Sequence, residues 1–235
     1  MTLRWLICFS LTGLPLGAAT VSGRVELRDS RDPAVRNRKD FSGVVIALKP
    51  LDGTAPPAGD KHLVMLQRDK TFSPHVLAVA AGSVVEFPNA DPIFHNAFSS
   101  YSGQVFDIGL YPPGTTRSLR FAREGVVRVF CNIHAAMSAV IVVVGSPYFA
   151  TTKRDGAFEI SDVPPGDYDL TIFHERASEA TLAGLRRKVT VGPDGASLAG
   201  LMISEGGYLS IPHKNKYGHE YQPGSGDQAI YPGKK

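Results

Sequence analysis

Short runs of β-branched and aromatic residues, separated by glycine, proline and aspartate, recur along most of this 235-residue sequence. Ala139–Val144 is strongly β-branched, and Val21–Leu27 alternates apolar and polar side chains. Runs of this length and composition, bounded by turn-forming residues, are typical of β-strands. We therefore expect an all-β chain, with one modest helical segment at Glu179–Lys188.

The predicted strands are densest in the middle of the chain. Between residues 62 and 145 we expect strands near Leu63–Gln67, Val76–Val79, Val84–Phe87, Val105–Leu110, Arg117–Phe121, Val126–Phe130 and Ala139–Val144. A content of 43% hydrophobic and 20% charged residues is that of a globular protein with a core. The net charge of +3 is spread along the chain, and no basic helix appears, so we expect no nucleic-acid partner.

The first residues have the pattern of a secretory leader. Arg4 precedes a short apolar run, Trp5–Gly17, and small residues follow up to Ala19. This pattern predicts cleavage after Ala19, within a few residues, and export to the periplasm. The run is too short to span a bilayer, and no other long apolar segment follows, so we expect no membrane span in the mature protein. Removing Cys8 with the leader leaves Cys131 without a disulfide partner within the chain.

Cys131 opens a segment that also contains two other candidate metal ligands. Cys131-Asn132-Ile133-His134-Ala135-Ala136-Met137 follows an alternating strand, and His95 lies upstream in a predicted loop. Two imidazoles and a thiolate with a weak thioether suit copper, because these ligands serve both Cu(I) and Cu(II). Zinc is the alternative metal, since it also binds cysteine and histidine, but it gains nothing from Met137.

These motifs resemble the cupredoxins, and among them the amicyanins, which share the short C-x2-H-x2-M loop. The resemblance covers about residues 62–145. It implies a Greek-key β-sandwich, electron transfer and one mononuclear type 1 copper site made of His95, Cys131, His134 and Met137.

The resemblance also implies roles around the ligands. Asn96 would hold the ligand loops by hydrogen bonds. His134 would be the exposed ligand through which electrons leave, with Ala135 and Ala136 forming the surrounding surface. Ala135 stands where amicyanins have proline, which leaves the reduction potential and the proton behaviour of His134 open. Asp91 is a weaker candidate for a residue that supports a ligand.

A second resemblance concerns the rest of the chain. Asp155-Gly156-Ala157-Phe158 and Pro164-Pro165-Gly166-Asp167-Tyr168 are similar to the signature of carboxypeptidase-regulatory-like, or prealbumin-like, β-sandwiches. The resemblance implies a second small β-sandwich with opening strands in residues 20–61 and the remainder in residues 146–205. The predicted organisation is a leader at 1–19, a cupredoxin domain at 62–145 inserted into this sandwich, and an extended tail at 206–235. Two domains in tandem are the alternative.

The sequence contains no motif for catalysis. Gly-x-Ser-x-Gly, phosphate-loop, HExxH and paired-carboxylate patterns do not occur, so we expect no enzyme activity. The favoured function is an electron carrier whose partner is a c-type cytochrome or a periplasmic dehydrogenase. Copper delivery and a structural role for the sandwiches are the alternatives. Amicyanin-like proteins serve methylamine oxidation in some bacteria, but no residue here indicates methylamine use. His213 and His219 in the tail are weak candidates for an accessory metal site.

Overall fold

The computed structural model describes residues 19–53, 61–100, 103–208 and 213–221. Its strands are β1 (Ala19–Arg28), β2 (Val45–Pro50), β3 (His62–Val64), β4 (Leu66–Arg68), β5 (Thr71–Ser73), β6 (Val76–Ala80), β7 (Val84–Pro88), β8 (His95–Ser99), β9 (Phe106–Tyr111), β10 (Thr116–Arg120), β11 (Gly125–Phe130), β12 (Ser138–Val144), β13 (Phe149–Thr151), β14 (Ala157–Val163), β15 (Gly166–Phe173), β16 (Arg187–Val191) and β17 (Ala196–Ser204). Its helices are α1 (Pro33–Arg38) and α2 (Glu179–Leu185). The predicted all-β fold class is confirmed.

Several elements differ from the sequence expectation: β5, β16 and β17 were not expected, the expected strand Leu63–Gln67 is divided into β3 and β4, and two further differences concern α1 and His95. The chain forms the short helix α1, which begins at Pro33 and is capped by the Asp32 side chain accepting the Ala34 N–H. Six residues are too few to show a helical period, so only the Asp-Pro start could have indicated it. The second difference concerns His95, which is the first residue of β8 rather than part of a loop.

The strands before β3 and after β12 form one β-sandwich, called here the outer sandwich. Its two sheets have the strand orders β14-β1-β17 and β13-β2-β15-β16. Side chains such as Ile46, Phe158, Leu170 and Ile203 pack between these sheets. The two early strands β1 and β2 therefore pair only with strands that lie more than 90 residues later in the chain.

Strands β3 to β12 form a second β-sandwich, called here the inner sandwich. A sheet of order β10-β7-β3 faces a five-stranded sheet of order β6-β12-β11-β8-β9, and β4 and β5 form a separate hairpin. Phe87, Phe121, Val127 and Ile141 pack between the two sheets. The candidate metal ligands Cys131 and Met137 belong to the same core, at the end of the sandwich where β11 stops.

The two sandwiches pack against each other through β2 and β12. In β12, alternate residues enter the inner core, while Val140, Val142 and Val144 face Val45 and Ala47 of β2. Both faces are therefore buried along Val45–Leu48 of β2 and Ala139–Val144 of β12. This double burial explains why β2 and β12 are continuous apolar runs, whereas strands with one solvated face alternate.

Ion pairs border this contact between the sandwiches. Lys49 of β2 binds Glu124 at 3.1 Å. Glu175, which follows β15, accepts a hydrogen bond from His75 Nε2 at 2.6 Å and lies 3.5 Å from Arg128 of β11. The His75–Glu175 pair joins the two sandwiches at the start of β6.

The predicted leader lies outside the described residues except for Ala19. Ala19 is the first residue of β1; it is buried and pairs with Val163. The strand thus begins one residue inside the predicted leader. Within the described ranges, no helix is long and apolar enough to cross a membrane.

Candidate metal centre

The connection between β11 and β12 is a tight loop, referred to below as the ligand loop (residues 131–137). Cys131 directly follows β11, and its backbone N–H donates to the Met137 carbonyl at 3.1 Å. The Met137 N–H donates to the His134 carbonyl at 3.0 Å. These two bonds fold the loop back on itself, so that side chains three residues apart share one end of the inner core.

The structure brings together three of the four predicted ligands. Cys131 Sγ lies 3.6 Å from His134 Nδ1 and 3.9 Å from His95 Nδ1, and the three atoms lie within 4.8 Å of one another. The two imidazole rings are 4.9 Å apart and inclined at 61°. All three residues are buried. Two nitrogens and a sulfur that face one point form a trigonal set, which is the arrangement that copper prefers with these ligands.

The fourth predicted ligand, Met137, is fully buried in the core of the inner sandwich. Its backbone is bonded to both Cys131 and His134, so it lies at the same end of the sandwich as the trigonal set. A thioether is a weak, uncharged ligand of copper, and Met137 stays a predicted ligand.

A buried carboxylate fixes the orientation of His95. Asp91 Oδ2 lies 2.7 Å from His95 Nε2, and Asp91 also accepts the backbone N–H groups of Asp69 and Lys70. Burial raises the pKa of Asp91, but these hydrogen bonds outweigh it, and the pKa lies below its ordinary value. An ionised carboxylate only accepts hydrogen bonds, so Nε2 carries the proton and the lone pair of Nδ1 faces Cys131.

The Cys131 thiol lies in an environment with opposing effects on its charge. Burial raises its pKa, while hydrogen bonds from the backbone N–H groups of Ile133, Asn96 and His134 lower it without overcoming the burial. A bound cation favours the thiolate over the thiol, and these N–H groups then stabilise the same charge.

Asn96 links the two segments that carry ligands. Its side-chain oxygen accepts the N–H of Asn132, next to Cys131, at 3.2 Å. Its amide nitrogen donates to Asp107 Oδ1 at 2.8 Å and to the Gly109 carbonyl at 3.0 Å. The resemblance implies such a role for Asn96, whereas no sequence motif points to Asp107.

His134 is more enclosed than the resemblance implies. Its exposure is 7%, and its Nε2 atom has almost no accessible surface. The expectation of an exposed His134 is wrong in this structure, because the ring packs edge-on against His95 inside the core. Ala135 and Ala136 are exposed, as expected for a surface around the ligand.

Part of the tail also lies against the ligand loop. Residues 213–221, called here the strap, carry His213, whose ring stacks on Phe130 at 3.9 Å and whose Nε2 donates to the Ala135 carbonyl at 2.8 Å. From the sequence, this region is expected to be an extended tail. The repeated histidines and tyrosines of the strap are the only sequence signal that distinguishes it from the surrounding glycine- and proline-rich residues.

The remaining histidines have other contacts. His62 pairs with Glu86, and His174 pairs with Glu205. Within the described part of the chain, the only group of histidine, cysteine and acidic side chains with metal-binding geometry is His95, Cys131 and His134. His213 and His219, suggested for an accessory site, belong to no such group of three or more among the described residues.

Comparisons with known proteins give matches among solved structures, each to a part of this chain. No protein-family model matches the chain, and no curated protein matches it. Similar solved structures include a purple cupredoxin from Nitrosopumilus maritimus, at 23% identity over 36% of this chain and 100% of that chain, with a TM-score of 0.32. An oxidised amicyanin variant has 18% identity over 42% of this chain and 98% of its own, with a TM-score of 0.33.

A third similar structure is a copper-containing nitrite reductase from Thermus scotoductus SA-01. It has 21% identity over 51% of this chain and 28% of that chain, with a TM-score of 0.35. All of these identities and scores are low, so the functional assignment rests on the residues of this chain.

Proposed function

We propose that this chain is an exported electron carrier with one mononuclear type 1 copper site. His95, Cys131 and His134 would hold the metal, with Met137 as a fourth, weak ligand. The observation that carries the proposal is the convergence of two imidazole Nδ1 atoms on the Cys131 sulfur, all buried. When bound at such a site, copper supplies one-electron transfer by cycling between Cu(II) and Cu(I).

The residues around the ligands support this function in a specific way. Asp91 fixes His95, Asn96 joins β8 to the ligand loop, and strands β8 and β11 anchor both segments. A rigid ligand set changes little between the two oxidation states of the metal, and electron transfer is faster when little rearrangement is needed. The thioether in the ligand loop favours copper over zinc, because zinc gains nothing from it. The enclosure of the site argues against a catalytic zinc, which needs an open position.

The direct test is the colour of the Cu(II)-loaded protein. Thiolate-to-copper charge transfer should give an intense visible band, and Cys131→Ser should abolish it while the protein remains folded by circular dichroism. His134→Gln removes a proposed ligand and should also weaken this band. Its matched control is His75→Gln, because His75 belongs to the same sandwich but lies outside the ligand group. An intense band in the Cys131→Ser protein would contradict the proposal.

Electron exchange distinguishes a carrier from a copper-delivery protein. The carrier function predicts rapid oxidation of the Cu(I) protein by a c-type cytochrome in stopped flow, with copper retained. Transfer of the metal to a competing chelator or apoprotein, without electron exchange, would favour delivery instead. The partner itself, a c-type cytochrome or a periplasmic dehydrogenase, is part of the proposal.

A further inference from the structure

The strap makes three separate hydrogen bonds to the ligand loop. Tyr221 Oη donates to the carbonyl of Cys131 at 2.7 Å. The backbone N–H of Lys216 donates to the side-chain oxygen of Asn132 at 2.9 Å, and His213 Nε2 donates to the Ala135 carbonyl at 2.8 Å. The strap thus binds the metal-ligand cysteine, the residue after it and the residue after His134.

A closed ring of hydrogen bonds joins the strap to both ligand-bearing segments. Lys216 Nζ binds Asp107 Oδ2 at 2.7 Å, and Asp107 Oδ1 accepts the Asn96 amide at 2.8 Å. Asn96 accepts the N–H of Asn132, which in turn accepts the Lys216 N–H. Because Asn96 follows His95 and Asn132 follows Cys131, the ring fixes the spacing between two predicted ligands.

The strap contains an internal turn, which lies between His213 and Tyr221. Asn215 Oδ1 accepts the N–H groups of Tyr217 and His219, both at 3.0 Å, and the Gly218 N–H donates to the Asn215 carbonyl. Gly218 has a φ of 79°, a conformation that glycine adopts without strain. The aromatic rings of Tyr221, His213 and Phe130 pack in sequence beside this turn.

We propose that the strap is a positioning element of the metal centre: it holds the ligand loop in its metal-binding conformation in the absence of metal and closes the site to external molecules. Tyr221, Lys216 and His213 are positioning residues, since they act through the loop backbone and not on the metal. The link to a metal rests on the proposed function, but the preorganisation itself is a property of the metal-free chain.

The strap also contains its own controls. Tyr217, Lys214 and His219 have the same side-chain types as the three positioning residues, but their side chains are exposed and make no hydrogen bond to the ligand loop among the described contacts. The matched pairs are Tyr221→Phe with Tyr217→Phe, Lys216→Gln with Lys214→Gln, and His213→Ala with His219→Ala. Tyr221→Phe removes only one oxygen atom, so the ring packing is retained.

The first measurement uses the metal-free, full-length protein. N-ethylmaleimide alkylates the Cys131 thiol only when the buried site opens, and mass spectrometry of the Cys131 peptide separates this from reaction at Cys8. Each positioning variant should react about fivefold faster than wild type, the factor expected for loss of one net hydrogen bond. Each matched control should stay within about twofold, and Lys216→Arg, which keeps the ion pair with Asp107, should restore the slow rate.

The second measurement uses the Cu(II)-loaded protein. Tyr221→Phe should shift the thiolate-to-copper band, and added azide should change the spectrum of the Tyr221→Phe protein at lower concentration than that of the Tyr217→Phe protein. Equal alkylation rates and equal azide responses in the positioning and control variants would overturn the role of the strap. Absence of a charge-transfer band in wild type would instead overturn the proposed function and leave the alkylation result as the test of the strap.

Discussion

The inner and outer sandwiches differ in how they bury polar side chains. Among the described residues, the inner sandwich buries eight polar or charged residues, and the rest of the chain buries four. In the outer sandwich, the buried Glu205 is matched by His174 at 2.7 Å and Arg176 at 3.0 Å. Burial raises the pKa of Glu205, but hydrogen bonds from His174, Arg176 and Ser30 lower it to about 2.

In the inner sandwich, four of the buried polar groups lie around the ligand loop: Asp91, His95, Asn96 and His134. There the Nδ1 atoms of His95 and His134 and the Sγ atom of Cys131 lie within 4.8 Å of one another, and Asp91 Oδ2 lies 2.7 Å from His95 Nε2. The arrangement of buried polar groups therefore distinguishes the two sandwiches. In the outer sandwich the buried carboxylate is matched by cationic partners, whereas in the inner sandwich three possible metal-ligand atoms lie close together.

The largest expected effect comes from making the same cavity in the core of each sandwich, which tests whether the two sandwiches unfold separately. Ile141 and Ile203 are both fully buried, one in the inner and one in the outer sandwich. Ile141→Ala and Ile203→Ala should each cost about 2–5 kcal/mol of stability. If the two sandwiches unfold separately, only Ile141→Ala should lower the urea concentration at which the copper colour is lost.

Urea titrations followed by visible absorption and by far-ultraviolet circular dichroism would measure both transitions. An equal fall of the colour transition in the two variants would mean that the sandwiches unfold as one unit. This experiment also bears on the proposed insertion of residues 62–145 into the outer sandwich, for which the pairing of β1 and β2 with late strands is the support.

A smaller effect is expected from Asp91→Ala. The change removes the acceptor for His95 Nε2 and for two backbone N–H groups, so the ring loses its fixed orientation. Copper affinity, measured by competition with a chelator, should fall about 10–100-fold. Asp155→Ala, which removes a carboxylate from the outer sandwich, is the control and should leave the affinity unchanged. Unchanged affinity in Asp91→Ala would show that the carboxylate does not support the ligand.

Substitution of the thioether should change the reduction potential more than the stability. Met137 and Met65 are both fully buried in the inner core, and Met→Leu conserves volume, so each change should cost less than about 1.5 kcal/mol. Met137→Leu should raise the potential, because Cu(II) loses a donor, while Met65→Leu should not. Redox titration of both variants measures this difference. If Met137→Leu and Met65→Leu have the same reduction potential, Met137 is not a ligand.

The smallest predicted effect concerns the His75–Glu175 pair between the sandwiches. The hydrogen bond to Glu175 raises the pKa of His75, although burial opposes the shift. A raised pKa in the folded protein gives stability that is fully present below the unfolded value, about pH 6.5, and lost as the pH rises through the folded value. Because the His75 side chain is half exposed, the loss should be less than about 1 kcal/mol.

Urea midpoints across this pH window would detect the loss in wild type and its absence in His75→Gln. Identical pH profiles for the two proteins would show that the pair does not couple the sandwiches.

The sequence predicted the positions of the inner strands better than it predicted the long-range contacts around the candidate metal site. Most inner strands lie within two residues of the expected bounds, because β-branched runs between turn residues are a local signal. The three trigonal ligand candidates were also identifiable from local motifs, and the structure brings them together. The low exposure of His134 and the contacts of the strap were not predicted, since Lys216 and Tyr221 meet the ligand loop only through long-range folding.

The proposed metal site is tested most directly at the atoms that would bind copper. X-ray absorption at the copper edge of the Cu(II)-loaded protein should show one short sulfur ligand and two imidazole nitrogens, and Cys131→Ser should remove the sulfur. A first shell of nitrogen and oxygen alone in the wild-type protein would contradict a site made of His95, Cys131 and His134.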